Sequence, residues 1–399
     1  MYNIVITGTT GFLGKVVLLD ILNNIDINKI FLLIRDNENM NANERFNNII
    51  NNKFLFDYFK KYLNKITILS SDITLDNLKL SLENINLLKE SNINLFINVA
   101  ANINFNDPIK IAYNNNVKSV IKITNFCNKF LFKLEKLIHV STFYVNHPST
   151  ITGNKITENL VELKYSFQEY DNIINNNLYT IKDNPYCNTY CLTKCISEHY
   201  LHSIKDSINF DITIIRPSNI ANSYKFPIEG WNDSYAASTS VNLTYGTNLM
   251  NYISSDPDIP VNIIPVDFVS KKISLEIFII QNKFFKISNA IVDNKKSITC
   301  DYWMNNCTKF YNIINYRSKY INEHGYMFII KNFSFDFLPY YFLRILYIFN
   351  KKKYKKMKSL VEIYKIPYMF NYFFKNTWDV NYKSEYFDFD YYHQIVIPK

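Results

Sequence analysis

Three of the seven glycines in this 399-residue chain, Gly8, Gly11 and Gly14, fall within seven positions. They follow the apolar run Ile4 to Thr7 directly and lead into the apolar helical pattern Leu13 to Leu22. A chain so poor in glycine places them there only where no side chain fits. Between a strand and a helix the glycines allow a tight turn, close backbone approach to a pyrophosphate and close packing of helix on strand, while the helix N-terminus supplies amide donors and a partial positive charge. Gly8, Thr10, Gly11, Phe12, Leu13 and Gly14 are therefore the expected contacts of a phosphate group. A plain strand-to-helix turn is the alternative, and the flanking pattern weighs against it.

The rest of the first 290 residues supports the same fold class. Short apolar runs at Ile4 to Thr7, Ile30 to Ile34, Ile66 to Leu69, Leu95 to Val99, Leu137 to Val140 and Ile212 to Ile215 alternate with helical patterns at Leu13 to Leu22, Ile109 to Asn125 and Tyr190 to Ile204. That rhythm predicts an α/β fold with a doubly wound parallel sheet of six strands. Residues 148 to 185 lack a clean period and read as an excursion between a strand and the next helix. Near residue 290 the rhythm gives way to aromatic and Lys-rich helical patterns. Two domains are expected, 1–290 as the nucleotide-binding unit and 291–399 as a smaller, mainly helical one.

Composition excludes several classes. With 48% hydrophobic and 20% charged residues the chain is not broadly disordered. Its 31 Tyr, 31 Phe and a Lys to Arg ratio of 39 to 5 suit an AT-rich coding sequence, so aromatic richness alone is no stacking surface. The net charge of +9 is scattered apart from the run Lys351 to Lys358, and no nucleic-acid partner is expected. Six cysteines (Cys127, Cys187, Cys191, Cys195, Cys300 and Cys307) form no CxxC pair, so no metal site is expected. The stretch Phe335 to Phe349 is shorter than the roughly 20 apolar residues of a membrane span. Residues 333–358, aromatic and then basic, suit a peripheral membrane surface as well as they suit a core helix with a solvated end. Tyr2 to Thr7 already reads as a strand, so no signal peptide is expected and the cytoplasmic side, at the endoplasmic reticulum or another intracellular membrane, is the expected location.

Further along, single residues carry chemistry. At the end of the second strand Arg35 precedes Asp36; a guanidinium there pairs with the 2′-phosphate of NADPH, whereas Asp36 keeps NADH open. Asp72 after the third strand is placed for the adenine amino group, and Ala100-Ala101 after the fourth lets a cofactor pass closely. Each also suits an ordinary loop. Tyr190 and Lys194 stand one helical turn apart on one face, so the lysine charge would lower the phenol's pKa, its donors would hold the nicotinamide ribose, and Tyr190 would protonate a carbonyl oxygen. Thr142, or secondarily Ser141, just past a strand, would polarise the same oxygen.

These segments resemble the alcohol-forming fatty acyl-CoA reductases, within the extended short-chain dehydrogenases. The resemblance rests on GTTGFLG at Gly8 to Gly14, HVSTFYVN at His139 to Asn146, NTYCLTKCISE at Asn188 to Glu198, IRPS at Ile215 to Ser218, Gly230-Trp231-Asn232-Asp233 and Pro265-Val266-Asp267. It covers about residues 3 to 290 and is looser near Phe373 to Trp378 and Phe387 to Asp390. It implies NADPH-dependent reduction of a long-chain fatty acyl-CoA, through an aldehyde, to a primary alcohol. By the same resemblance Tyr190, Lys194 and Thr142 are catalytic, and Gly8, Gly11, Gly14 and Arg35 contact NADPH. Pro217 joins the cofactor contacts and with Arg216 opens the substrate side, where Tyr144, Gly230 and Trp231 are expected. Trp231 packing beneath its own loop is an equal alternative. Asn116 takes the family's position on the helix before the catalytic strand, and Ser71 stands where the family has glycine. Other readings are an extended short-chain dehydrogenase acting on a steroid or nucleotide-sugar, reduction stopping at the aldehyde, and a non-enzymatic NADP-binding sensor.

Overall fold

The computed structural model describes residues 1–310 apart from breaks at 53–54, 106, 148–155, 181–183, 187, 237, 240, 243–251, 254–256, 259, 282–283 and 293–296, and it describes 319–320. Seven parallel strands form the central sheet: β1 (Tyr2–Thr7), β2 (Ile27–Ile34), β3 (Ile66–Ser70), β4 (Leu95–Asn98), β5 (Lys136–Val140), β6 (Asp211–Pro217) and β7 (Phe285–Ala290). Their order is β7-β6-β5-β4-β1-β2-β3. The order reverses at β1, and open sheets of this kind bind ligands in the crevice outside the carboxyl ends of the strands at that switch point.

Six strands coincide with the apolar runs of the sequence. The seventh, β7, pairs in register with β6 from Phe285 against Ile212 to Ala290 against Pro217. Its sequence FKISNA interposes Lys286, Ser288 and Asn289 between apolar residues, which hides it from a search for apolar runs.

Both faces of the sheet are buried, as parallel sheets require. Ile4 and Ile6 of β1 point to one face with helix α1 (Phe12–Asn24), the helix Val266–Glu276 and Trp303 and Met304 of the helix Cys300–Phe310. Val5 points to the other, with Phe31, Phe96, Leu137 and Ile212 and the helices Ser119–Phe130 and Thr189–Ile204. The predicted helix from Ile109 is continuous to Phe130, with one turn, Asn114–Lys118, wound as a π-helix. Within the 148–185 excursion lies the helix Phe167–Asn175, started by a capping box between Ser166 and Glu169. The aromatic and Lys-rich stretch 333–358 lies outside the described residues, as does most of the expected second domain.

Candidate active site

The turn after β1 is built by steric exclusion. Gly8 has φ +77°, and a Cβ there would lie 2.6 Å from the amide nitrogen of Ala100 and 2.8 Å from the carbonyl carbon of Val99. A Cβ on Gly14 would overlap the carbonyl of Gly8, 2.6 Å from its carbon. The Gly11 amide donates to the Gly8 carbonyl at 3.0 Å, closing the turn, and Gly11 itself is exposed. Helix α1 starts at Phe12 with no acidic residue in its first turn, so its amides face the crevice beside Thr10, Phe12 and Leu13. Such a cradle fits a pyrophosphate, and Ala100 stands directly beneath it.

At the end of β2 the structure adds a residue absent from the sequence reading. Arg45, on the capped helix Ala42–Ile50, donates through Nη1 to the carbonyl of Arg35 and through Nη2 to Thr10 Oγ1 at 3.1 Å. The positive charge of Arg35 lowers the pKa of Arg45, as does partial burial, which comes first. Two of the chain's five arginines therefore stand together beside the phosphate turn. Asp36, by contrast, accepts from the Ala42 amide at 2.7 Å and from the Ser70 hydroxyl at 2.6 Å. The Ser70 bond holds its carboxyl below the usual range. Its oxygens tether β2 to β3 and to the following helix. Asp72 Oδ1 likewise accepts from the amide and hydroxyl of Thr74, at 2.9 and 2.7 Å.

Across the switch point the candidate catalytic groups gather. Asn188 caps the helix Thr189–Ile204 by accepting from the Cys191 amide at 2.8 Å, and Thr189 donates to the Asp107 carbonyl at 2.9 Å. These contacts fix Tyr190 in the first turn. The Tyr190 hydroxyl is hydrogen-bonded to Thr142, and the Phe105 ring stands edge-on to the phenol with centroids 5.5 Å apart. Thr142 caps the turn Phe143–Asn146, whereas Ser141 Oγ is buried with no partner among the described residues. Of the two hydroxyl candidates, the structure brings Thr142 to the phenol. Tyr144 stands beside Tyr190, against the backbone of Asn219.

The electrostatics of the Tyr-Lys pair differ from the sequence expectation. Burial raises the Tyr190 phenol above its ordinary value, and Thr142 only partly offsets this. Lys194 Nζ donates instead to the Val140 carbonyl at 2.6 Å and lies 3.2 Å from His139 Nε2. Burial pushes its amine down to about 7, with Glu198 opposing. Asn116, on the π-turn, accepts from the Asn102 amide at 2.9 Å and donates to Thr193 Oγ1 at 3.1 Å, tying the catalytic helix to the loop after β4.

Arg216 requires a correction. It is fully buried and clasps Glu198 through Nε at 3.0 Å and Nη2 at 2.5 Å, so it binds β6 to the catalytic helix and opens no substrate side. Pro217 follows it at the buried end of β6. Gly230, at φ +75°, turns the chain so that Trp231 packs on Phe12 with ring centroids 5.5 Å apart. Asp233 pairs with Lys15, and the carboxylate of Asp267 accepts from the amides of Tyr224, Lys225 and Phe226. The segment thus closes over the first turn of α1, at the cofactor end of the crevice.

Comparisons with known proteins agree with this architecture. Residues 6–273 match the NAD-binding family described as male sterility protein. The chain is 27% identical over 393 residues to the fatty acyl-CoA reductase wat of Drosophila melanogaster, covering 93% of this chain and 74% of that one. It is 27% identical over 283 residues to human fatty acyl-CoA reductase 1, covering 67% of this chain and 52% of that one. The match therefore spans only about half the length of the human relative. Among solved structures, the reductase domain of a non-ribosomal peptide synthetase from Mycobacterium tuberculosis superposes with a TM-score of 0.60 at 16% identity, over 84% of this chain and 76% of that one. At that identity the likeness speaks for the fold alone.

Proposed function

The chain belongs to the male sterility protein family, and from that premise we propose that it is an NADPH-dependent reductase of long-chain fatty acyl-CoA, yielding a fatty alcohol by way of the aldehyde. The observation that carries this reading is the meeting, at the carboxyl edge of one sheet, of a glycine cradle flanked by Arg35 and Arg45 with the hydrogen-bonded pair Thr142 and Tyr190. The names of the relatives, fatty acyl-CoA reductases, supply the substrate class.

The Arg45 guanidinium on Thr10, with the charge of Arg35 close enough to act on it, suits the 2′-phosphate, and Asp36, spent on Ser70 and Ala42, is poorly placed to hold ribose hydroxyls, so NADPH is favoured over NADH. When bound, the cofactor supplies the hydride. Tyr190 donates its proton to the oxygen of the thioester and, in the second reduction, to that of the aldehyde. Thr142 hydrogen-bonds the phenol and steadies the same developing alkoxide. The high pKa of the free phenol keeps it protonated until an alkoxide calls for the proton. Lys194 contributes the neighbouring cation once protonated. Residues 333–358 are the proposed contact with an anionic membrane surface, checked by co-flotation with phosphatidylserine vesicles. Among the described residues no helix is long and apolar enough to cross a membrane.

The test is consumption of NADPH, beside NADH, with palmitoyl-CoA and with extracted products identified. Two NADPH per CoA released and a fatty alcohol support the reading. One NADPH and an aldehyde limit it to the first reduction, and no turnover over several acyl lengths with detergent or membrane present defeats it.

A further inference from the structure

A buried polar chain crosses three strands under the crevice and ends on Lys194. The Ala100 amide donates to Thr7 Oγ1 at 3.3 Å, and the Thr7 hydroxyl donates to Asn98 Oδ1 at 2.6 Å. Asn98 Nδ2 lies 3.0 Å from His139 Nδ1, and His139 Nε2 lies 3.2 Å from Lys194 Nζ. Thr7, Asn98, His139 and Lys194 are each 1% exposed. Such a chain fixes hydrogen positions.

Those positions follow from the donors available. Thr7 Oγ1 accepts from Ala100 with one lone pair, and its own hydrogen goes to Asn98 Oδ1 at 2.6 Å, an O–H···O separation. The amide of Asn98 is thereby oriented with Nδ2 toward the ring, where it donates to Nδ1. Burial holds His139 well below its usual pKa, so the imidazole is neutral, and with Nδ1 accepting from Asn98 its single hydrogen is on Nε2. That N–H faces Lys194 Nζ. An ammonium there would oppose donor to donor. A neutral amine accepts from Nε2, donates to the Val140 carbonyl and keeps one hydrogen for the crevice.

We propose that His139 is a positioning residue for Lys194: the chain from Thr7 through Asn98 turns the imidazole N–H toward Nζ and so favours the neutral amine over the ammonium in the free protein, leaving the lysine poised to take up a proton. It rests on the reading of Lys194 as the catalytic cation. The other titratable groups around Nζ do not do this. Glu198, one turn on, favours the ammonium but is clasped by Arg216 from β6. Burial raises the pKa of Tyr190, Tyr144 and the Cys195 thiol and keeps them neutral, and the π-turn presents Asn116, which is uncharged.

The experiment is NMR of the full chain labelled at lysine Cε and at histidine ring nitrogens, with neither NADPH nor acyl-CoA present, and with the Lys194 signal assigned by its loss in Lys194→Met. The Lys194 signal is expected to titrate near 7 in the native protein. Its midpoint should rise by at least one pH unit, a tenfold shift in the protonation equilibrium, in His139→Gln, whose carbonyl can accept from an ammonium. It should rise likewise in Thr7→Val, which touches Lys194 nowhere but frees the Asn98 amide to turn, while Thr7→Ser keeps the native midpoint. Unchanged midpoints in both variants, or a native midpoint in the ordinary lysine range, overturn the proposal. Should either variant fail to fold, the native ring decides: hydrogen on Nε2 upholds the proposal, and hydrogen on Nδ1 overturns it. Failure of the reductase reading leaves every one of these readouts intact.

Discussion

Two buried lysines stand at opposite ends of β5, and they have been given opposite surroundings. At the amino edge Lys136 donates to the carbonyls of Glu276, at 2.9 Å, and Ile279, just past the end of the helix Val266–Glu276. Burial lowers its pKa, but Glu276 and Asp211 oppose that shift. Asp211 in turn accepts from the amides of Gln281 and Phe284 at 2.8 Å each, holding the approach to β7. Every charge there is spent on joining one element to the next, and a cation at a helix C-terminus is favourable in itself. At the carboxyl edge Lys194 has one carbonyl and one neutral imidazole, while the nearest carboxylate belongs to Arg216. The same side chain, equally buried, is a structural tie where acceptors surround it and a titratable group where they do not.

The largest expected break at the active edge is Tyr190→Phe. It should lower kcat by about 10² to 10⁴, the usual contribution of a positioned general acid, with NADPH binding retained. Retained turnover would remove Tyr190 as proton donor. The two lysines should fail in opposite ways. Lys136→Met strands two buried carbonyls and should cost roughly 2 to 5 kcal/mol in denaturant unfolding, with turnover per folded molecule preserved. Lys194→Met should abolish turnover in a folded protein.

A smaller effect is expected at the nucleotide end. Arg45→Ala should weaken NADPH about tenfold to a hundredfold, the range of a charge-assisted hydrogen bond, and leave NADH unchanged in fluorescence titrations. Equal losses for both cofactors would deny Arg45 the 2′-phosphate. The pH dependence of stability sharpens the comparison further. A lysine depressed to about 7 in the fold penalises folding in full below that pH, and the penalty fades as pH rises toward the unfolded value of 10.5. Lys194→Met should therefore gain stability relative to the native protein below pH 7, and lose that advantage between pH 7 and 10. Smallest of all, Ser141→Ala should leave kcat near native, since Ser141 Oγ has no partner among the described residues, while Thr142→Val should not.

What the sequence made legible was whatever depends on a local pattern. Apolar runs marked six strands, and glycine spacing marked the tight turn after β1. β7 escaped because its polar residues interrupt the run, although Ser288 and Asn289 are buried beside β6. Arg45 escaped because its meeting with Arg35 and Thr10 depends on where the helix after β2 lands, which no spacing reveals. The clasp of Arg216 on Glu198 escaped because the two residues lie 18 positions apart on different elements, a strand and a helix. His139 lay inside a quoted motif but was passed over for the hydroxyls that follow it, because its partners Asn98 and Lys194 come from other segments.

The closeness of Gly8 to Ala100, and of Gly14 to Gly8, has a genetic counterpart. Any change at the first or second base of a glycine codon specifies a side chain or a stop, and at these two positions the space for that side chain is already taken by backbone. In a chain this rich in Asn, Ile and Lys and this poor in Arg, any drift in base composition would meet a wall at this turn. It sorts the positions of this chain into those that composition can rewrite and those that it cannot.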